Sequence, residues 1–332
     1  VARRGFSNMP GVQHDYMPRN TPGCIGCGTC QTGCPSGGKA SADLNWLPRA
    51  LENGAIVHAD SRVDAIIMKG ERAVGVSGHV IEPMSRKRLR PFEITAKKVV
   101  LALGSINTPQ LLQRQKLANS SGMVGQNLHI QPGSGAVALF DEEIRVWTGA
   151  TQGYYAYHPD ERELLAETFS APPEAFFTQM GKIGYESAEF LRQLKNLSTC
   201  GFLIRDHSSG SVRENGDKPV KITYNLIPDD QRKMRLGIEF ICEMFFAAGS
   251  RRVRPQLGGS KMFSSWNECR QFIRSVSDIA DFDLYASHPM GTCRVGADAT
   301  KNVVRPEDGR THDHEGLYVM DASLLPTSMG VN

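Results

Sequence analysis

The sequence begins without a methionine, contains no run of eighteen apolar residues, shows no internal repeat or low-complexity tract, and carries almost no net charge. Its greasiest stretch, Phe240 to Ala248, is interrupted by Cys242 and Glu243, so nothing in it supplies the ~20 apolar residues a membrane span requires. With 38 Lys and Arg against 35 Asp and Glu, the formal charge of +3 gives no electrostatic case for nucleic acid or acidic lipid. The basic cluster Arg86, Lys87, Arg88 and Arg90 has no aromatic residue interleaved and reads as a solvated hairpin tip. The chain opens at Val1 and stops at Asn332, straight after Ser328-Met-Gly-Val331. Both ends are therefore expected to be cut, and the choice between a cytoplasmic and a periplasmic location stays open because no natural N-terminus is in view.

What is present is enough apolar residue, over 332 positions, for two domains or one large one. From Ser41 the chain reads as a short helix, with Pro48 near its first turn and Gly54 beyond its end. Ala55 to Ala59, Arg62 to Met68 and Ala73 to Val80 read as strands, with a turn at Lys69-Gly-Glu-Arg72 between the last two. Lys98-Val-Val-Leu-Ala-Leu103 is a continuous apolar run suited to a buried parallel strand. A helix is expected after it, capped by Thr108 with Pro109 at its first position.

The middle zone, roughly residues 130 to 287, is less regular and rich in aromatics, among them Trp147, Tyr154, Phe176, Phe177, Phe245 and Trp266. Its best helix runs from Asp230 to Ala248, where Met234, Ile238, Ile241, Met244 and Phe245 recur at three- and four-residue steps. Four of the eight cysteines, Cys200, Cys242, Cys269 and Cys293, stand singly and read as small buried packing residues.

Chemistry concentrates toward the end of the chain. Ser287-His-Pro-Met-Gly-Thr-Cys-Arg-Val-Gly296 places one histidine before a glycine-containing bend. Gly316-Leu-Tyr-Val-Met-Asp-Ala-Ser323 reads as a buried strand ending in Asp321, and strand ends are where open α/β sheets bind ligands. These two stretches, the second continuing through Leu324-Leu-Pro-Thr-Ser-Met-Gly-Val-Asn332, resemble the C-terminal signature of the glucose-methanol-choline (GMC) oxidoreductase family. Three further stretches resemble the same family in the same order: Gly38-Lys-Ala-Ser41 through Leu47-Pro-Arg-Ala50, Leu103-Gly-Ser-Ile-Asn-Thr-Pro-Gln-Leu-Leu112, and Val124-Gly-Gln-Asn-Leu128.

The resemblance implies an α/β (α+β) fold: an incomplete FAD/NAD(P)-binding dinucleotide-type domain and a substrate domain of antiparallel sheet with helices. The expected division is a Cys-rich segment over 1–40, a partial FAD-binding domain over 41–129 and 288–332, and a substrate-binding domain over 130–287. The family's Gly-x-Gly-x-x-Gly turn is not matched. Gly26-Cys-Gly28 does not replace it, since no Val/Ile-rich strand precedes it and the third glycine is missing. A fragment without the N-terminal FAD-binding βαβ unit is expected, inactive alone.

By the same resemblance the chain implies an FAD-dependent enzyme that oxidises the CH–OH group of a small-molecule alcohol, whether fatty alcohol, sterol or sugar. The cofactor takes the hydride and the protein must supply a base for the hydroxyl proton. Neutral imidazole suits that task, because its unperturbed pKa of about 6.5 lies near working pH. The resemblance places the base at His288 and the second catalytic group at Asn332, whose amide would hold the alcohol oxygen. It places FAD contacts at Val63, Asp321 and Ala322, although Val63 also reads as an ordinary strand residue.

Cys24-x-x-Cys27-x-x-Cys30-x-x-x-Cys34-Pro35 has the spacing of a bacterial ferredoxin run, whose thiolates ligate iron. Similar Cys-rich stretches occur in members of the resembling family, associated in certain sugar dehydrogenases with a cluster. An iron-sulfur cluster, a structural or disulfide-prone knot and a zinc site all remain readings of these four residues. A cluster would pass electrons to an external acceptor and make the enzyme a dehydrogenase. The competing reading of the whole chain is a non-catalytic iron-sulfur electron-transfer module, which leaves the His288 motif without a purpose.

Overall fold

The structure, a computed structural model, describes residues 1–170, 172–173, 188, 191–216 and 218–331. Asn332, Phe176 and Phe177 lie outside the described residues. In chain order the first elements are α1 (Ala2–Ser7), β1 (Gln13–Tyr16), α2 (Trp46–Glu52), β2 (Ser61–Lys69), β3 (Arg72–Ile81), β4 (Arg88–Thr95), β5 (Val99–Leu101) and α3 (Gly104–Gln115). Next come β6 (Gln126–Leu128), β7 (Gly133–Leu139), β8 (Tyr154–Tyr157), β9 (Leu164–Thr168), β10 (Leu197–Ile204), β11 (Gly210–Arg213) and β12 (Lys221–Thr223). Helix α4 (Pro228–Ala247), β13 (Arg252–Pro255), α5 (Trp266–Ser275) and β14 (Leu317–Val319) complete the order.

Two large apolar cores organise most of these elements, beside a small cluster of Val137, Leu139, Val146, Leu194 and Leu197. The larger lies between α4 and a six-stranded antiparallel sheet of order β1-β8-β9-β10-β7-β13. The helical periodicity of α4 puts Met234, Ile238, Ile241, Met244 and Phe245 on the sheet, all completely buried. Helix α1 packs against α4 through Gly5, where any side chain would run into the Met244 backbone carbonyl. The first sixteen residues thus build the sheet of the middle zone, although they precede the Cys-rich run. All four single cysteines are buried, as their isolation in sequence leads one to expect.

The smaller core gathers Ile66, Val99, Leu101, Leu112, Val303, Val304, Leu317 and Val319. Its centre is the parallel pair β5 and β14, in register from Leu317 opposite Val99 to Val319 opposite Leu101. The pair buries one face, while Val100, Leu103 and Met320 remain exposed on and beside the other. A β2-β3-β4 meander flanks it, with Lys87 in the connection between β3 and β4 where a hairpin tip is expected. A short sheet of order β12-β11-β6 spans the two bodies. There the Gln113 side chain of α3 donates to the Val212 carbonyl at 2.9 Å and accepts from Glu214 N at 2.7 Å.

Two sequence expectations are corrected. Ala55 to Ala59 is not a strand, and Ile56 and Val57 are exposed. β-propensity records fit to a half-buried pleated surface, and this segment pairs with no strand among the described residues. Helix α3 begins at Gly104, not at Thr108, so Pro109 lies inside it. Replacing Ile241 by Ala should lower unfolding free energy by about 2–5 kcal/mol, whereas Ile56→Ala should stay within about 0.5 kcal/mol. Denaturant unfolding of the two variants tests this, and equal losses would contradict the burial of α4.

Candidate active site

The site grows from the start of α3. Proline lacks an N–H, so Pro109 leaves the Ser105 carbonyl without its helical donor. Thr292 supplies it: its hydroxyl donates to Ser105 O at 2.7 Å, and the Ser105 hydroxyl donates to Pro289 O at 2.7 Å. The segment carrying His288 is thereby tied to α3 on both sides of Met290. Met290 also exchanges backbone hydrogen bonds with His129, at 3.0 and 2.8 Å. Between them Gly291 adopts φ +92°, and a side chain there would strike the Asn127 carbonyl, so glycine is required on two counts.

Asp321 anchors the second half of the site. Its Oδ2 accepts from Gly104 N at 2.9 Å and from the Thr108 hydroxyl at 2.6 Å, while Oδ1 accepts from Ser323 N at 2.8 Å. Thr108, expected as a helix cap, instead accepts from Leu103 N at 3.2 Å and passes its own proton to Asp321. The acidic strand end therefore orders the turn at Ala322, which is itself exposed. With both carboxylate oxygens engaged, Asp321 offers a ligand its backbone and position, next to an uncovered Ala322 and the exposed apolar side chains of Leu103 and Met320. An apolar ledge beside an ordered turn suits part of a flavin nucleotide. Val63 is half-buried on β2 opposite Gly78, immediately before an irregularity in the ladder. It belongs to the meander, joined to α3 through the Gln115 side chain on Ile66 N and O, at 2.7 and 3.0 Å.

His288 is half-buried, and burial lowers its pKa below the ordinary imidazole value, which favours the neutral ring at pH 7. It lines a cavity of about 150 Å³ together with Gln31, Gln131, Gln152, Glu167 and Phe202. Gln131 also donates from Nε2 to the Val331 carbonyl at 3.2 Å, so the chain's last described residue is tied to the wall that His288 shares. Asn332 follows it, outside the described residues.

Behind this wall lies a buried carboxylate, Asp206. It accepts from Ile130 N at 3.1 Å, from Gln131 N at 3.2 Å and from the Tyr224 hydroxyl at 2.7 Å, with His129 Nδ1 3.6 Å away. Ser328 reaches it as well, its hydroxyl accepting from Asp206 N at 3.3 Å, and Arg205 Nε donates to Ser328 O at 3.0 Å. Burial alone would raise the Asp206 pKa, but the surrounding His129, Ser328, Tyr224 and Ile130 N–H outweigh it and hold the value at about 2. Burial and the Asp206 charge push the Tyr224 phenol up, so it remains a donor. Gln131, Gln152, Glu167 and Asp206 were not singled out from the sequence. Gln131 stands three residues after the Val124–Leu128 motif and Gln152 ends Trp147-Thr-Gly-Ala-Thr-Gln152, the available signals.

The four clustered cysteines are free thiols. Among the described residues no three His, Cys, Asp or Glu side chains gather as a metal site requires, so their arrangement does not fit a cluster or zinc. Cys34 Sγ accepts from Lys39 N at 3.3 Å and Cys24 Sγ from Gly26 N at 3.4 Å, local contacts that shape the loop. The run packs on the middle zone through a bridge between Cys27 and Gly149, and a side chain at Gly28 would collide with the Trp147 carbonyl. Gln31 is thereby delivered to the His288 cavity.

Comparison with known proteins identifies the family. Two family models, both described as GMC oxidoreductase, match residues 2–133 and 206–332. A protein of Mycobacterium tuberculosis named as an uncharacterized GMC-type oxidoreductase is 32% identical over 319 residues, covering 95% of this chain and 49% of that protein. A long-chain-alcohol oxidase of Arabidopsis thaliana is 26% identical over 370 residues, 100% of this chain and 47% of its own length. A cholesterol oxidase of Acinetobacter baumannii is 22% identical, over 93% and 58% respectively. The chain spans about half the length of the curated relatives it matches. Among solved structures, an FAD-dependent oxidoreductase from Chaetomium thermophilum superposes with a TM-score of 0.60 at 17% identity, over 89% of this chain and 62% of that one, and so shares its fold. No described helix is long and apolar enough to cross a membrane.

The Asp206 environment predicts a pH effect. A carboxyl depressed from 3.8 to about 2 on folding stabilises the native state above roughly pH 4, and that contribution, about 2 kcal/mol, is lost as pH falls toward 2. Urea unfolding across this range should show the gap between wild type and Asp206→Asn narrowing with acidification; a constant gap would remove Asp206 from the acid-labile groups.

Proposed function

The chain belongs to the GMC oxidoreductase family, and from that premise we propose that it forms part of an FAD-dependent enzyme oxidising the CH–OH group of an alcohol, with His288 as base. The observation that carries the reading is the half-buried, pKa-lowered imidazole of His288 on the wall of a partly open cavity, beside Gln131, which holds the C-terminal tail.

When bound, the flavin supplies the hydride acceptor. The chain's own residues do the rest. A neutral His288 ring nitrogen takes the hydroxyl proton, and burial keeps that nitrogen free of protons at neutral pH. Asn332, reached through the Gln131 clamp on Val331, orients the alcohol oxygen. Ala322 and the backbone of Asp321, with Val63 on the meander, are the residues proposed to hold the dinucleotide. The division into a Cys-rich segment over 1–40, a partial cofactor domain over 41–129 and 288–332 and a substrate domain over 130–287 is kept as a proposal, with α1 and β1 moved to the substrate domain. Dehydrogenase activity through an iron-sulfur cluster at Cys24 to Cys34, with an external acceptor, finds no ligand geometry to support it, and no step is routed there.

In the full-length protein, anaerobic addition of an alcohol substrate should bleach the flavin absorbance, and His288→Ala should slow the bleaching by about 10²- to 10⁴-fold while the cofactor stays bound. Because the imidazole pKa is lowered, the wild-type rate should fall only as pH drops below the usual imidazole range, and the variant should lose that dependence. Bleaching at the wild-type rate in the variant would remove the base assignment.

A further inference from the structure

We propose that Asp206 is a positioning residue for the catalytic end of the chain: its carboxylate fixes residues 127–131, and these together with Ser328 place the tail, residues 326–331, that leads to Asn332. Resting on the reading of His288 and Asn332 given above, this adds a residue that acts on the reaction without touching alcohol or cofactor.

Residues 127–131 are where the two catalytic segments meet. Asn127 Nδ2 donates to Gly291 O at 3.3 Å and to Pro326 O at 3.1 Å, so one amide holds the segment after His288 and the tail together. His129 pairs with Met290 through the backbone, and Gln131 Nε2 donates to Val331 O at 3.2 Å. Both ends of the run are left-handed, with φ +63° at Asn127 and +48° at Gln131, a conformation that a side chain such as glutamine disfavours. Asp206 holds it there. Its two carboxylate oxygens separately accept the N–H groups of Ile130 and Gln131, at 3.1 and 3.2 Å, and the oxygen on Ile130 also takes the Tyr224 hydroxyl at 2.7 Å. The same residue reaches the tail directly, for Asp206 N donates to the Ser328 hydroxyl at 3.3 Å and the adjoining Arg205 donates from Nε to Ser328 O at 3.0 Å. The tail is thus held at Pro326, Ser328 and Val331, and every holder is Asp206, its chain neighbour or the run it orders. The Asp206 side chain has 0% exposure, so no ligand can reach it and it works only through what it holds. An amide in its place keeps the shape but has one acceptor oxygen where two N–H groups each need their own. The segment after His288 has a second anchor at Ser105 and Thr292, so loss of the carboxylate falls mainly on the tail.

The test uses the full-length, flavin-loaded protein and rapid-mixing measurement of flavin bleaching, with 1-dodecanol, cyclohexanol and methyl glucoside as probes, the fastest being kept. Asp206→Asn should lower the bleaching rate constant at saturating alcohol by about 10²-fold, the usual cost of a misplacement near 1 Å, and leave the half-saturating concentration unchanged. A defect of folding alone lowers the fraction of protein that bleaches, not the rate constant of that fraction. Asn332→Ala should slow bleaching as well, and in that background Asp206→Asn should cost little more, because Asp206 acts through Asn332. A wild-type rate constant in Asp206→Asn, or two losses that multiply, overturns the proposal. Where Asp206→Asn does not fold, Ser328→Ala, which removes only the tail's hydroxyl contact, replaces it in the same cycle and is judged by the same two outcomes. Hydrogen exchange separates positioning from the catalytic reading. Relative to peptides of α4, those covering 326–331 should exchange about tenfold faster in Asp206→Asn, or in Ser328→Ala, than in wild type. If no probe bleaches the wild-type flavin, or Asn332→Ala bleaches at the wild-type rate, the catalytic reading fails and exchange alone decides: a tail unchanged relative to α4 overturns the role of Asp206.

Discussion

A proline in the second turn of α3 strips one carbonyl of its helical donor, and the placement of His288 depends on how that carbonyl is satisfied. Ser105 O is met by Thr292 and the Ser105 hydroxyl meets Pro289 O, so the segment that follows the imidazole is fixed on both sides of Met290 to a helix end that Asp321 holds from the other side. A buried carbonyl without a partner is costly enough that the arrangement has few alternatives. The same helix start thus positions the candidate base and the turn proposed for the cofactor. Neither could shift without unpairing a buried polar group.

Much of this was legible in the sequence, for physical reasons that differ between elements. The apolar runs of β5 and β14 announced a strand pair in the smaller core, although the pair buries only the face carrying Val99, Leu101, Leu317 and Val319 and leaves Val100 exposed. The period of α4 was readable because one of its faces meets a continuous sheet. The sheet itself was not. All seven residues of β7, Gly133 to Leu139, are buried, so the two-residue alternation that marks a strand is erased. β1 is four polar or aromatic residues whose strand character comes wholly from pairing with β8.

At the site, motif residues were visible and supporting residues were not. His288, Asp321 and Ala322 sit in runs whose order and composition mark them. Gln131 owes its orientation to a left-handed backbone held by a carboxylate 75 positions away, and no local pattern encodes such a distant contact. The start of α3 was misplaced for the same reason. Pro109 signals a first helical turn on its own, and only Thr292, 187 residues from Ser105, makes it acceptable inside the helix. The Cys-rich run shows the reverse: its spacing is that of a ferredoxin motif, yet its fold role here is to lay Gln31 against the cavity.

The two large apolar cores share no residue, and between them, around the buried Leu128, Val212 and Met290, runs a band of polar contacts: Gln113 on β11, Arg114 beside Glu214, Arg205 on Ser328, Gln131 on Val331. Apolar burial makes unfolding all-or-none, whereas isolated hydrogen bonds each contribute only about 1 kcal/mol. Such a molecule has a built-in order of opening. Gentle denaturation is expected to part the band before either core, so that amide protons along the wall His288 shares exchange with solvent through a smaller excursion than those inside either body.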